Sequence, residues 1–367
     1  MKLVLFSDLH LDAPFAWLGG DQQLARRRRQ ALRTTLKNVT RLAAEERADA
    51  LLCGGDLYEQ ERFTPDTAEF LRRAFQELEP MAVLIAPGNH DWYGPQSLYH
   101  RVAWSPNVHV FTADRLQPFT LAEGFTVWGA AHRAPANTDG FLDRFGVDRG
   151  GVNVALFHGS ERGWLGEQEQ GKAPHAPFGA DQIPRSGLHH ALLGHFHRPS
   201  DAALHTYPGN PDPLTFGEDG DRGAVIATFA ADGSLTRERR RVGVSEVHDL
   251  ALDVSGCQSQ QDLRDRLAEA LATLHGAVRV TLSGELSAQA NVRLQDLASV
   301  APHLEALVVR GGSIHTGYDL DSIAREPTVR GQFVRDVRAA GLAAEEMRRV
   351  PVTGLRALDG RDDLEVL

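Results

Sequence analysis

Aspartate, asparagine and histidine side chains recur directly after short apolar segments of this sequence. Asp8 and His10 follow the first such segment, and Asp56 follows the second. Three later segments are followed by Asn89 and His90, by His158, and by His195 and His197. Imidazole, carboxylate and amide groups together suit manganese, iron or zinc better than magnesium or calcium. These residue types therefore predict a metal-binding protein.

The spacing of these side chains suits a site for two metal ions. Residues i and i+2 of an extended segment point the same way, so both ends of Asp8-Leu9-His10 can reach one site. Glycines before Asp56, Asn89 and His195 permit tight turns and close approach of the backbone. Asp56 is the natural bridge between two ions. Two ions about 3.5–4 Å apart can hold a hydroxide and clamp the oxygens of an in-line phosphoryl displacement.

Strands and helices alternate over the first two thirds of the chain and must position these side chains. Helical spacing predicts helices over Gln22–Arg47 and Pro65–Leu78. The candidate strands are Lys2–Phe6, Ala50–Cys53, Ala82–Ala86, Thr126–Gly129, Val152–Phe157, His190–Leu193 and Ala224–Phe229. This order predicts a layered α/β domain over residues 1–243, with ligands at the C-terminal edge of an open sheet.

The character of the sequence changes after residue 243. Residues 244–318 predict a small α+β domain, with strands Val244–Val254, Ala277–Ser283 and Glu305–Arg310 and helices Gln260–His275 and Ala290–Ala301. Residues 319–367 form a tail. Within it we predict a helix over Asp319–Gly341 whose apolar face is formed by Ile323, Val329, Phe333, Val334 and Val337. This helix could pack on its own domain or dock on a partner.

Composition excludes several classes of protein. Of the 367 residues 42% are hydrophobic and 24% are charged, which is typical of a globular protein. No segment approaches the ~18 apolar residues of a membrane helix, and the first apolar segment is too short for a signal peptide. Cys53 and Cys257 cannot form a disulfide framework, so we expect a cytoplasmic protein. A net charge of −10 means that any contact with DNA must come from a local basic patch.

The motifs that carry these residues resemble those of the calcineurin-like metallophosphoesterases. In order they are Asp8-Leu9-His10, Gly55-Asp56, Gly88-Asn89-His90-Asp91, His158 and Gly194-His195-Phe196-His197. The match narrows to the SbcD and YhaO branch of DNA-repair nucleases, on four further segments: Ser7–Asp12, Tyr207–Pro211, Phe216 with Arg222-Gly223, and Val278–Gly284, the last in a region similar to the branch's capping domain. The resemblance implies an α/β metallophosphoesterase core, with central β-sheets flanked by helices, and a C-terminal α+β capping domain.

The resemblance also implies a role for each residue of the site. Asp8, His10, Asp56 and His197 would bind one divalent ion, and Asp56, Asn89, His158 and His195 would bind the other, with manganese the favoured metal and iron or zinc the alternatives. His90 would not be a ligand. It would stabilise the transition state or protonate the leaving oxygen. The nuclease branch often has a second histidine three residues after the bridging aspartate, where this chain has Glu59. That departure puts in doubt the cleavage polarity and the preferred end of the substrate.

The implied partners are DNA and an SMC-like ATPase of the SbcC or YhaN kind. We take the Asp319–Gly341 helix as the candidate docking element for the ATPase. Members of the branch often form a homodimer, although no segment of this sequence identifies the interface. Arg26, Arg29 and Arg198 are candidate contacts to phosphates of DNA, while a solvated basic face is the alternative for Arg26 and Arg29.

Two other functions remain open at the level of sequence. A phosphatase or phosphodiesterase acting on nucleotides or other small phosphoesters would need the same metals but a closed pocket. A scaffold protein that has lost catalysis could keep the fold and bind the ATPase. The complete set of ligand positions and the presence of His90 favour an enzyme. A DNA exonuclease or endonuclease with a role in DNA repair is the function that the resemblance favours.

Overall fold

The chain divides into two compact units, Met1–Ser245 and Glu246–Leu367. The computed structural model describes residues 1–136, 138–148, 150–168, 174–287, 290 and 293–360. The last seven residues of the predicted tail (319–367), at positions 361–367, lie outside the described residues. The roles predicted for the second unit, capping and docking, stay predictions.

The first unit contains two six-stranded sheets. In the first sheet the strands are β1 (Lys2–Phe6), β2 (Ala50–Cys53), β3 (Ala82–Ile85), β4 (Val108–Val110), β11 (Ala224–Phe229) and β12 (Leu235–Arg240). In the second sheet they are β5 (Gln117–Ala122), β6 (Phe125–Gly129), β7 (Val152–His158), β8 (His190–Gly194), β9 (Ser200–Asp201) and β10 (His205–Tyr207). The first sheet has the order β12-β11-β1-β2-β3-β4, and the second has the order β5-β6-β7-β8-β10-β9.

The two sheets pack face to face, and the alternation of side chains along β1 shows how. Leu3 and Leu5 point into a core that is shared with β6, β7 and β8 of the second sheet. Val4 and Phe6 point the other way, into a core shared with helices α1 (Gln22–Glu45) and α2 (Pro65–Gln76). Both faces of the strand are buried from Leu3 onward, which explains why it is apolar after Lys2. The predicted α/β layering is thus present, with a pair of stacked sheets where the residue pattern led us to expect a single open sheet.

Each of the two long helices begins at a side-chain cap. Asp21 caps α1 by accepting a hydrogen bond from the amide of Leu24, and Thr64 caps α2 by accepting one from the amide of Thr67. Pro65 follows at the first position of α2, where its missing N–H costs nothing. The described residues of the first unit also form three short α-helices, α3 (Leu98–Arg101), α4 (Leu165–Gln168) and α5 (Gln182–Arg185).

The predicted strands of the first unit are present, and the structure adds β4, β5, β9, β10 and β12. Four of these five, all but β10, are edge strands. An edge strand is half-exposed and often charged, as in the sequence Leu-Thr-Arg-Glu-Arg-Arg of β12, so it lacks the apolar run that identifies a central strand. The sequence signal therefore missed the borders of the sheets.

The second unit contains a parallel three-stranded sheet, with β13 (Val247–Asp253), β14 (Ala277–Ser287) and β15 (Ala306–Gly317) in that order. Helix α6 (Gln260–Leu271) buries Leu263, Leu267 and Leu271 in the same core as side chains of β14. The helix predicted over Ala290–Ala301 is wrong for the residues described there. Only a short 3-10 turn forms, over Leu294–Leu297.

The single helix predicted over Asp319–Gly341 is also wrong. The structure has α7 (Leu320–Arg325) and α8 (Val329–Ala339), followed by α9 (Ala344–Leu358). Pro327 separates the first two because it offers no amide and forces Glu326 into an extended conformation. Ile323, Val334 and Val337 are buried as predicted, whereas Val329 is 73% exposed at the start of α8.

No helix in the described part of the chain combines the length and apolar character needed to cross a membrane. Cys53 and Cys257 are both buried and unpaired with each other.

His190 of β8 should make the stability of the protein sensitive to acid. Its side chain is 2% exposed, and its Nε2 lies 2.9 Å from Oγ1 of Thr206. Burial, reinforced by the charge of Arg237, lowers the pKa of His190 to about 3. Between this value and the ordinary pKa of about 6.5 the unfolded chain binds a proton that the folded protein does not. The contribution of the neutral imidazole is therefore complete above pH ~6.5 and is lost as the pH falls towards 3.

The replacement His190→Gln removes this titration and should make stability fall less steeply over that range, by up to about 1.4 kcal/mol per pH unit. Urea unfolding of the metal-free protein at several pH values measures the effect. His100→Gln, which makes the same change at an exposed position, is the control. Parallel loss of stability in His190→Gln and the unaltered protein would show that His190 does not control this transition.

Candidate metal centre

The candidate ligands lie where strands of both sheets of the first unit end. Asp8 and His10 follow β1, Asp56 follows β2 and Asn89 follows β3, all in the first sheet. The other ligands come from the second sheet: His158 is the last residue of β7, and His195 and His197 follow β8. Hydrogen bonds join the two sets of loops, because the amide of His195 donates to Asp8 at 3.1 Å and His158 Nδ1 lies 2.9 Å from the carbonyl oxygen of Gly54.

Asp56 stands between two groups of these ligands. Its Oδ2 lies 3.2 Å from Nε2 of His158 and 3.7 Å from Nε2 of His10. Asp8, Asp56 and His158 form one group of potential ligand atoms that all lie within 4.8 Å of one another. Asp8, His10 and His197 form a second such group.

Asn89 and His195 join the group around His158. Oδ1 of Asn89 lies 3.1 Å from Nε2 of His158, and Nδ1 of His195 lies 3.2 Å from the same nitrogen. The structure thus brings together all seven side chains that the sequence suggested as ligands, which are Asp8, His10, Asp56, Asn89, His158, His195 and His197.

The backbone of the ligand loops is held in an unusual conformation. The φ angles of Asp8, His10, Asp56 and His195 are 55°, 50°, 50° and 110°, in the region that non-glycine residues rarely adopt. Such conformations persist only where the surrounding structure enforces them, and they concentrate at functional sites. At Gly88 the reason for glycine is steric, since a Cβ there would collide with Oδ1 of Asp56.

The carboxylate of Asp91 holds these loops together. It accepts hydrogen bonds from the amides of Asp56 at 3.1 Å and Leu57 at 2.7 Å, from the amide of Gly88 at 2.6 Å, and from the hydroxyl of Tyr99 at 2.5 Å. Burial, together with the charge of Asp56, raises the pKa of Asp91 to about 6. Its four donors occupy the carboxylate, so Asp91 positions the ligands and is not one of them.

The donor set fits divalent metal ions. Nε2 of His10 is buried and has no hydrogen-bond partner among the described residues, although the carboxylate of Asp56 lies nearby. Leaving such an atom unpaired is costly unless a ligand satisfies it. Two buried carboxylates and several imidazoles around that atom are ligands typical of manganese, iron or zinc.

Electrostatics in the site favour a cation. Burial alone would raise the pKa of Asp56, but the imidazoles of His158, His90 and His10 together outweigh burial and lower that pKa well below its usual value. Burial would likewise lower the pKa of His158, but the carboxylates of Asp56 and Asp8, with the hydrogen bond to the carbonyl oxygen of Gly54, raise it to about 9. The protein thus stabilises a negative charge on Asp56 by placing positive charge beside it. A metal ion would supply that charge and displace the proton of His158.

Glu59 connects the ligand His10 with His90. Its Oε1 lies 2.8 Å from Nδ1 of His10, and its Oε2 lies 3.1 Å from Nδ1 of His90. The side chain of His90 is 46% exposed, while that of His10 is 4% exposed. A ring nitrogen of His90 also comes within 4.8 Å of Asp56 and His10 ligand atoms. His90 therefore lies at the border of the ligand cluster and faces the solvent.

Glu218 belongs to the site and was not predicted from the sequence. Its Oε1 lies 2.7 Å from Nδ1 of His197, and its Oε2 accepts hydrogen bonds from Asn210 Nδ2 at 2.7 Å and from the amide of Leu214 at 2.7 Å. It lies in a segment rich in Gly, Pro and Asp that has no periodic pattern. Its one available signal was its position between Phe216 and Arg222, two residues of the segment that resembles the nuclease branch.

A cavity of about 650 Å³ opens over the ligands. His90, His195 and His197 line its floor, and Phe15 and Trp17 form part of its wall. The wall is fixed by a hydrogen bond of 2.8 Å from Trp17 Nε1 to the carbonyl oxygen of Leu214. His175, which the sequence gave no reason to place here, also lines the cavity, with its ring 5.1 Å from that of His195.

The three arginines suggested as phosphate contacts lie outside this cavity. Arg198 is exposed and directly follows His197. Arg29 lines a neighbouring groove, while Arg26 is exposed on the same helix and is not part of that lining. Arg26 and Arg29 make no ion pair with any described residue.

A family profile, two relatives and one solved structure match parts or all of this chain. A profile of the family described as calcineurin-like phosphoesterase matches residues 1–199. The chain is 25% identical over 295 residues to the "Uncharacterized metallophosphoesterase YhaO" of Bacillus subtilis, covering 76% of this chain and 70% of that protein. It is 23% identical over 405 residues to the "DNA double-strand break repair protein Mre11" of Methanopyrus kandleri, covering 100% and 80%. The solved structure of TT1561 of Thermus thermophilus aligns with 65% of this chain and 98% of that chain, at 13% identity and a TM-score of 0.37.

Loss of the Glu218 carboxylate should weaken metal binding. In Glu218→Ala the imidazole of His197 loses the acceptor that fixes its orientation, and such losses typically cost 10- to 100-fold in metal affinity. Competition with a chelating dye for manganese measures the change. Glu161→Ala is a matched control, because Glu161 is similarly buried but accepts from the amide of Gly163. Equal affinities of Glu218→Ala and Glu161→Ala would contradict the role of Glu218.

Proposed function

The chain belongs to the calcineurin-like phosphoesterase family and is a metal-dependent phosphoesterase, and from this premise we propose that it is a manganese-dependent DNA nuclease. The proposed reaction is hydrolysis of phosphodiester bonds, and the proposed setting is DNA repair in the cytoplasm. The observation that carries the choice of DNA is the match along the whole chain, second unit included, to a relative whose name describes DNA double-strand break repair.

Seven side chains would hold two metal ions in this proposal. Asp8, His10 and His197 would hold one ion, Asn89, His158 and His195 would hold the other, and Asp56 would contact both. The bridging role is supported by the position of Asp56 Oδ2, which lies 3.7 Å from Nε2 of His10 in one group and 3.2 Å from Nε2 of His158 in the other. When bound, the ions would polarise the phosphoryl oxygens and activate water. Manganese is the proposed metal because imidazole, carboxylate and amide ligands are mixed in one site.

His90 is the proposed catalytic residue of the chain itself. The carboxylate of Glu59 is hydrogen-bonded to Nδ1 of His90, so Nε2 is the ring nitrogen that can interact with the substrate. The amide of His90 donates to Asp56 Oδ1 at 2.8 Å, which ties the backbone of His90 to the bridging carboxylate. A protonated imidazole in this place would neutralise charge on the phosphoryl group and give its proton to the leaving oxygen. Glu59 lowers the cost of that protonated form, since burial opposes it while the carboxylate raises the pKa of His90 to about 9.

The proposed partners are DNA and an SMC-like ATPase of the SbcC or YhaN kind. Arg26, Arg29 and Arg198 would contact phosphates of the DNA backbone. Helices α7 and α8, which replace the single predicted helix, are the proposed docking element for the ATPase. A homodimer is a further proposal, based on the family resemblance alone.

Hydrolysis of small phosphoesters is a second candidate function. The cavity of about 650 Å³ is within the size range of pockets that enclose small molecules. A nucleotide or a simple diester could therefore reach the candidate metal-binding side chains without contacting any other part of the protein surface. The two functions differ in whether substrate length increases the rate.

Manganese-dependent cleavage of linear duplex DNA, labelled at either the 3′ or the 5′ end, tests the nuclease. We expect cleavage with manganese, none with chelator, and a loss of about 100-fold or more in both Asp56→Asn and His90→Ala. His100→Ala, a replacement at an exposed histidine outside the cavity, should cut normally. The label that is released first gives the polarity. Hydrolysis of a small diester without any cleavage of DNA, with or without the ATPase, would reject the nuclease in favour of the second function.

A further inference from the structure

A second groove lies beside the metal-site cavity and shares a wall with it. This groove, of about 440 Å³, is lined by residues that include Asp12, Phe15, Asp21, Arg29 and Arg62. Three consecutive residues, at positions 14–16, line both the groove and the cavity over the metal ligands. A substrate that extends out of the cavity over this shared wall enters the groove. We name it the arginine groove.

The two arginines of the arginine groove make no ion pair in the described part of the protein. Arg29 is half-buried and Arg62 is exposed. The two carboxylates that also line the groove hydrogen-bond to other groups. Asp12 accepts a hydrogen bond from Thr67 Oγ1 at 2.6 Å, and Asp21 accepts one from the amide of Leu24 at 2.9 Å.

Other arginines of the same helix differ from Arg29. Arg33 pairs with Asp66 at 2.5 Å, and Arg28 is buried beneath the shared wall, where it donates to the carbonyl oxygen of Pro213 at 2.8 Å. The guanidinium of Arg28 also lies 5.6 Å from the centre of the Phe15 ring, and thereby supports the wall from below. Arg27 is exposed, but it is not part of the groove lining.

The arginine groove and the proposed catalytic residue His90 are connected through one short loop. The amide of Arg62 donates to the carbonyl oxygen of Glu59 at 3.0 Å, so Arg62 closes a turn that begins at Glu59. The side chain of Glu59 contacts His10 and His90, as described above. The backbone of Arg62 is thus held on the same short loop as Glu59, whose carboxylate contacts the proposed catalytic residue His90.

We infer that the arginine groove binds the sugar–phosphate backbone of a nucleic-acid strand beyond the scissile bond, through the guanidinium groups of Arg29 and Arg62. Guanidinium groups match phosphate oxygens with paired, charge-assisted hydrogen bonds. A small phosphoester occupies the cavity alone and cannot reach them. The groove is therefore the feature that would select polynucleotides over small esters. The inference rests on the proposed nuclease function and adds its second binding site.

The rate of hydrolysis as a function of substrate length tests the inference. The substrates are single-stranded oligonucleotides from a dinucleotide to a dodecanucleotide, and bis(p-nitrophenyl) phosphate as the small diester, all with manganese. In the unaltered protein kcat/KM should rise with length until the strand spans the groove. In Arg29→Gln/Arg62→Gln the advantage of the longer substrates should fall about tenfold for each arginine, while hydrolysis of the small diester stays within about twofold.

Salt dependence gives an independent readout. Loss of two phosphate contacts on a single strand should reduce the slope of log(kcat/KM) against log[salt] by about 1.4. Arg27→Gln carries the same loss of charge on the same helix outside the groove, and should keep both the length dependence and the slope.

Each outcome of this experiment is decisive. A double variant that keeps the length dependence and the salt slope of the unaltered protein would overturn the inference and leave the nuclease standing. An unaltered protein that hydrolyses the small diester but no oligonucleotide would reject both the nuclease function and the groove. An equal effect of Arg27→Gln would show that only the general charge of α1 matters, and would also overturn the inference.

Discussion

The site depends on one buried carboxylate, Asp56, at the place where two stacked sheets end. Asp56 is 2% exposed and lies between two imidazoles that come from different sheets. His10 follows a strand of the first sheet, and His158 ends a strand of the second. An ionised carboxylate at this depth is costly unless it is paired. The positive groups around it, or metal ions in their place, compensate for that cost. The loops that approach Asp56 adopt backbone conformations rare for non-glycine residues, which persist only where the surrounding structure enforces them.

The groups around the ligands form a second ring of carboxylates, each with a separate task. Asp91 binds the amides of the ligand loops, Glu218 orients His197, and Glu59 orients His10 together with His90. Because one carboxylate serves both a ligand and the proposed catalytic histidine, the positions of the metal site and of His90 are coupled. A neutral histidine at position 59, which the family resemblance led us to expect, has one acceptor nitrogen and could not accept from two imidazoles in this way. The departure seen in the sequence thus has a defined structural consequence.

The sequence predicted the central strands, and it singled out the side chains that come together at the strand ends, because both signals are local. A buried strand is an unbroken apolar run, and an Asp-x-His spacing follows from the backbone alone. The stacking of two sheets depends on contacts between distant segments and left no local signal. Glu218 contacts His197 over a sequence separation of 21 residues and lies in a segment without a periodic pattern, so for the same reason it was missed. The split between α7 and α8 was readable, since Pro327 lies in the sequence, but the apolar spacing on both sides of it suggested one helix.

Metal stoichiometry combined with electron paramagnetic resonance of the manganese-loaded protein tests the central claim most directly. If Asp56 bridges two sites, the unaltered protein at saturation binds two ions per chain, and their spectrum is that of a magnetically coupled pair. Asp56→Ala should lose the coupled spectrum, while Glu161→Ala should keep it. One ion per chain at saturation, or two ions without coupling in the unaltered protein, would contradict the account of Asp56 as the bridge.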